Sequence, residues 1–244
     1  MCLSAEISAG MVVVGTVTTV ATYRRGEMPA IWLTLGFFTL MEALQVWGYG
    51  VLDQCGTPAN RSVTVLSYLH IAIQPFFINA FAMELVPKPV RYRARYGVYS
   101  VCAVSLIVML MQIAPYQPFG TCLPGSPLCA DRWCTVAGDW HIAWDVPYNG
   151  MLLGLERTYG LHAGFPTYMV AAFIMPLIYG AWRFVVVHAI AGPVLATALT
   201  TNPNEMPAIW CLFSIAILLI GLSPAVRKTV TATHWWGRQV ANPS

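Results

Sequence analysis

Seven runs of mostly apolar residues, each near the length needed to cross a lipid bilayer, occupy most of this 244-residue chain. They are Ser4–Thr22, Pro29–Leu52, Val63–Val86, Gly97–Ala114, Gly164–Trp182, Phe184–Thr200 and Pro207–Ser223. Hydrocarbon offers a backbone no hydrogen-bond partners. A run of about 20 such residues therefore satisfies its own amides as an α-helix. Composition agrees: 57% of the residues are hydrophobic and 9% charged, where a soluble domain carries about 25% charged residues. From Phe165 to Thr200 the apolar character is broken only at Gly180–Arg183. A tight turn there makes two spans of one overlong run and keeps Arg183 out of the bilayer centre. The first run starts with no basic segment before it and reads as a retained helix.

Charge sets the direction. Of the 13 lysines and arginines, ten fall on one side of a seven-span threading. These are Arg24, Arg25, Lys88, Arg91, Arg93, Arg95, Arg183, Arg227, Lys228 and Arg238; the other side holds Arg61, Arg132 and Arg157. The positive-inside rule then predicts an extracytoplasmic N-terminus and a cytoplasmic C-terminus. The run Arg91–Arg95 is the strongest inner anchor, and Glu84 beside it is expected to pair with it or face water. The net charge of +3 gives no reason to expect nucleic acid as a partner. The hexapeptide Glu-Met-Pro-Ala-Ile-Trp occurs twice, at Glu27–Trp32 and Glu205–Trp210. Both copies read as helix starts, with proline in the first turn and an acid at the positive helix end.

The segment 115–163 is too polar to span and forms an outer cap; residues 225–244 form a cytoplasmic tail. Cys122, Cys129 and Cys134 lie in the cap and Cys55 in the neighbouring outer loop. On an oxidising side these predict two structural disulfides, with three connectivities open. Cys102 and Cys211 fall within helices and read as small packing residues. In the cap, Trp140 and Trp144 are four apart, as are His141 and Asp145. That spacing predicts a short helix with an aromatic and a polar stripe. Two roles stay open for it, a helix lying on the membrane surface or a lid over a site in the outer bundle.

Two spans carry polar groups. The second contains Glu42 and Gln45, the third His70, Gln74 and Asn79. Counting residues from the outer ends puts Glu42 and His70 about 5 Å apart in height. A carboxylate in hydrocarbon must be paired or protonated, so Glu42 is expected to face the bundle interior. His70, Gln45 and Gln74 are its candidate partners. The plain reading is a hydrogen-bonded clamp between helices; the functional one is a ligand, proton or metal-ion site. A metal site would draw on His70, His141 and Asp145, if the cap folds back over the bundle.

Several classes are excluded or disfavoured. No lysine lies inside a span, so no retinal Schiff base is available. His70 and His188 differ in depth, which argues against a shared haem iron. No Gly-rich phosphate loop or nucleophile elbow occurs. The strings LGFFTLMEALQVWGY, SYLHIAIQPFFINAFAMEL, DWHIAWDVPYNG and NEMPAIWCLFSI resemble a family of uncharacterised bacterial multi-pass membrane proteins. The resemblance implies a bacterial inner-membrane setting and no activity. The chain is thus expected to be all-α, a single seven-helix membrane domain over residues 1–244, embedded in the lipid bilayer, with a cysteine-stapled cap. Its expected function is to bind a small ligand, proton or metal ion in the outer half, through Glu42, Gln45, His70, Gln74 and Asn79. The alternatives are an accessory subunit of a larger membrane complex and an intramembrane metal-dependent enzyme with Glu42 as base. A transporter would call for a convincing repeat.

Overall fold

The computed structural model describes residues 5–154, 165–211 and 213–234. Cys2, Arg157, His162, Trp235, Trp236 and Arg238 lie outside the described residues. The chain is mostly helical. The first four helices are α1 (Ala5–Arg24), α2 (Pro29–Gly50), α3 (Pro58–Met83) and α4 (Lys88–Gln112). Two interrupted helices follow, α5 over Pro166–Ile178 and α6 over Trp182–Leu199, then α7 (Met206–Trp210), α8 (Phe213–Leu222) and α9 (Pro224–Val230). Among the described residues five helices, α1 to α4 and α6, are long and apolar enough to cross a membrane; α5 is a shorter apolar helix.

Local chemistry explains these boundaries. Proline sits in the first turn of α2, α3, α4, α5, α7 and α9, where its missing N–H is not needed. Thr57 caps α3 by accepting from the Asn60 N–H at 3.3 Å. Where α1 crosses α2, a Cβ on Gly15 would lie 2.2 Å from Thr39 Oγ1, so only glycine permits that approach. The chain reverses between α5 and α6 through Gly180 at φ +92°, inside the expected turn. Both α5 and α6 contain a π-turn, at Val170–Ile174 and Ile190–Val194. Pro176 and Pro193 account for them: each ring excludes the carbonyl four residues back, and a widened turn relieves the clash.

One end of the bundle is basic. Arg227 grips Glu27 with both guanidinium nitrogens, at 2.7 and 3.0 Å. Arg91 pairs with Glu84. Arg183 donates to the Thr229 and Thr231 carbonyls, and the Ala232 N–H to the Leu85 carbonyl at 2.8 Å. The connections that charge assigned to one side therefore meet at one end.

The cap covers the opposite end. Cys55–Cys134 ties it to the α2–α3 loop, and Cys122–Cys129 closes a small loop within it. Asn60 donates to the Thr135 carbonyl at 2.8 Å, and Asn149 to the Met111 and Ala114 carbonyls at the end of α4. The cap adds one small sheet to an otherwise helical chain, consistent with the all-α expectation, and corrects the helix expected over Trp140–Asp145. It contains an antiparallel hairpin, β1 (Cys134–Ala137) with β2 (Ile142–Asp145), Cys134 opposite Asp145 and Ala137 opposite Ile142. The four-residue spacing there is coincidental. Thr135, Val136, Ile142 and Trp144 are β-branched or aromatic and suit a pleated, buried strand. Trp144 is buried and Trp140 partly exposed, so no single aromatic stripe exists.

Glu205 holds the hairpin turn. Its buried carboxylate accepts from the backbone N–H groups of Asp139 (3.2 Å), Trp140 (2.6 Å) and His141, and from the Thr200 hydroxyl at 2.6 Å. A Cβ on Gly138 would lie 2.6 Å from Glu205 Cδ, so the approach needs glycine. Glu205→Ala takes the acceptor from three backbone donors, the His141 N–H buried and those of Asp139 and Trp140 part-buried, at about 1 kcal/mol each. It is expected to lower stability by about 3 kcal/mol in a thermal melt and to expose the bond after Asp139 to limited proteolysis. An unchanged melt and an intact turn would remove Glu205 as the anchor.

Candidate functional site

A cavity of about 270 Å³ lies beneath the cap, between α3, α5, α6 and α7. Ile71, Gln74 and Ile78 come from α3, Tyr168 and Met169 from α5, and His188, Pro193, Ala196 and Thr197 from α6. Met206, Pro207 and Trp210 come from α7, followed by Cys211. Pro127 and Leu128 reach it from the cap loop closed by Cys122–Cys129. The α6 π-turn forms part of the wall, and the widened turn at Gly192 receives the Trp210 indole. A Cβ there would sit 2.3 Å from Trp210 Nε1.

Polar groups in the wall hold one another. Trp210 Nε1–H donates to His188 Nε2 at 3.2 Å, which places the proton of a neutral His188 on Nδ1. His188 stacks on Phe173 with centroids 4.3 Å apart. Tyr168 donates its hydroxyl to Gln74 Oε1 at 2.8 Å, and its ring meets Trp210 edge-on at 5.8 Å.

The five residues expected to converge take different places. Gln74 lines the cavity. Asn79 is saturated: its amide donates to the Pro75 and Ala171 carbonyls at 2.8 Å each, and its oxygen accepts from Tyr179 at 3.1 Å. It is an α3–α5 clamp. His70 directs Nε2 to the Phe37 carbonyl at 2.8 Å and stacks on the Phe37 ring, with Nδ1 buried and, among the described residues, without a hydrogen-bond partner. Glu42 lines a separate void of about 10 Å³ with Met11, Thr39, Ile217 and Leu218, room for about one water. Gln45 accepts from Ser8 at 3.4 Å and lies beside Cys211. Height alone suggested a Glu42–His70 pair. His70, however, packs on Phe37, and Glu42 lies about 140° further around α2 at 100° per residue.

The cap does fold over the bundle, yet His70, His141 and Asp145 do not gather. His141 Nδ1 bonds the Tyr49 hydroxyl at 2.7 Å, and Asp145 accepts from Asn204 at 2.8 Å. Among the described residues no three His, Cys, Asp or Glu side chains are placed to hold a metal ion. Sequence reasoning missed Tyr168 and Trp210 as wall groups and Glu205 as a clamp. The proline in each of two adjacent apolar helices was the available signal for a widened wall. The repeated hexapeptide was the signal for Glu205, read only as a helix start.

Burial pushes His141 down to about 4, against a weaker upward pull from Glu205. At Glu205 burial raises the carboxyl, but Thr200 and the His141, Trp140 and Asp139 N–H groups outweigh it and hold it below its ordinary value. The signs agree. Between about pH 6.5 and 4 the unfolded chain binds a proton at His141 that the folded cap refuses. Stability is therefore lost across that window, by a few kcal/mol at most. Glu205 adds stability above the ordinary carboxylate range, lost as pH falls through its lowered value. The melting temperature is expected to fall from pH 7 to 4.5 in the wild type and to fall less in His141→Gln. Equal slopes would exclude His141 as the sensor.

A model of a family of unknown function, DUF5765, matches residues 6–231. No curated protein and no solved structure matches the chain. With nearly its whole length matched, the chain belongs to the family of unknown function DUF5765.

Proposed function

We propose that this chain is an integral protein of a bacterial inner membrane that crosses it seven times, with N-terminus and cap outside and tail in the cytoplasm. It holds a small ligand in the cavity beneath the cap. The cavity carries the ligand reading: about 270 Å³ of space is walled by two π-turns' helices and closed by a loop of the stapled cap. Such space in a close-packed interior forfeits dispersion contacts that a ligand restores. The topology rests on the separation of basic connections at one end from both disulfides at the other. An α5 of thirteen residues is short for a span; a locally thinned bilayer accommodates it.

The site differs from the one composed in sequence. Gln74 belongs to it, while Glu42, Gln45, His70 and Asn79 stand behind its walls as helix contacts. The enzyme reading, with Glu42 as base and His70 as acid, has less support because the two face different neighbours.

Two outcomes are expected. Arg61→Cys in intact cells should react with an impermeant maleimide, and Arg93→Cys should react only after lysis; the reverse pattern would invert the topology. Ala196→Phe fills the cavity from its wall. It should purify folded and release any co-purifying small molecule seen by native mass spectrometry of the wild type. Equal small-molecule content in both would remove the cavity as the site.

A further inference from the structure

Taking the cavity as a ligand site, we infer that its ligand is a neutral, lipid-soluble molecule bearing a carbonyl-type oxygen, which accepts a hydrogen bond from the side-chain amide of Gln74. Three observations carry this.

The first is charge. Among the described residues no Asp, Glu, Lys or Arg side chain lines the cavity. An ionic ligand would leave water with no counter-charge to receive it, at a cost of several kcal/mol. The aromatic and aliphatic wall, with Phe38, Phe165, Tyr168 and Trp210 among it, suits an uncharged and largely apolar body.

The second is the hydrogen-bond inventory. Tyr168 donates to Gln74 Oε1, Trp210 Nε1 to His188, Thr197 to the Pro193 carbonyl at 2.9 Å, and Cys211 to the Pro207 carbonyl at 3.3 Å. Each of these donors is committed within the protein. Gln74 is 6% exposed and lines the cavity, and among the described residues its Nε2 donates to no protein atom. With Oε1 taken by Tyr168, the group left to meet a ligand is the Nε2 donor. A buried amide N–H needs an acceptor, and a ketone, quinone or ester oxygen is the neutral group that supplies one.

The third is the mouth. Thr197 is the exposed member of the wall, and Ile190 and Val194 on the same helix are 60% and 56% exposed. Ile190, Val194 and Thr197 fall three or four residues apart on one exposed face of α6, so the wall at Thr197 borders a largely apolar surface. A ligand dissolved in the bilayer reaches such a mouth without crossing water.

Equilibrium dialysis of the full-length protein in lipid nanodiscs, corrected with empty discs, tests this with three probes of one shape. They are 2-acetylnaphthalene, 2-ethylnaphthalene and 2-naphthoate. The ketone should bind roughly fivefold tighter than the hydrocarbon, the worth of one neutral hydrogen bond, and the anion should show no excess over empty discs. In Gln74→Met the ketone should fall to the level of the hydrocarbon, with the hydrocarbon unchanged. The wild-type ratio needs no variant and stands if that protein fails to fold. Equal binding of ketone and hydrocarbon, or preferential binding of the anion, overturns the ligand class and leaves the cavity as a site. No excess binding of any probe overturns both.

Discussion

One buried carboxylate joins the two halves of this protein. Glu205 immediately precedes α7, and its oxygens receive three consecutive backbone N–H groups from the turn of the cap hairpin. A carboxylate removed from water is costly unless each lone pair is met, and here the turn and Thr200 meet them. The same geometry satisfies N–H groups that a tight turn leaves unpaired. Because α7 also carries Pro207 and Trp210 into the cavity wall, the position of the cap and the shape of the cavity follow from one contact. The Asn204 backbone and side chain add to it, accepting from Trp144 N–H at 3.0 Å and donating to Asp145.

The repeated hexapeptide shows how one local motif serves two ends. In both copies a proline two residues after the acid starts a helix. At the basic end Glu27 meets a guanidinium, and Arg227 holds its carboxyl below the ordinary range. At the capped end Glu205 meets backbone amides instead. Both acids tie a helix start to a distant segment, 200 residues away for Glu27 and about 65 for Glu205. The partners differ because basic side chains are concentrated at one end, so the other acid must find its donors in the main chain.

Interrupted helices shape the cavity between these ends. In hydrocarbon a backbone irregularity is tolerated only where protein or a cavity covers it. Both π-turns satisfy that condition, with α5 packed on Asn79 through the Ala171 carbonyl and α6 receiving the Trp210 indole at Gly192. The space that Trp210, Tyr168 and Gln74 border lies between these two interrupted helices and α3.

Five of the apolar runs, the turn near Arg183, the gathering of basic connections at one end and the pairing of four cysteines in two bridges were legible in the amino-acid order. Each depends on composition along the chain, and hydrophobicity and charge act on position along a helix axis without regard to rotation. The hairpin was not legible, because Trp140, His141, Trp144 and Asp145 satisfy helical spacing by chance and the strand partner lies in β1. Nor was the site. Residue counts gave Glu42 and His70 their common height, but only packing assigns each its direction around the axis, and it turned them to different neighbours. Order along the chain thus determined which segments are helices and which ends they share. Tertiary structure alone decided which side chains meet, because a buried polar group is placed by the partners that three-dimensional packing brings to it.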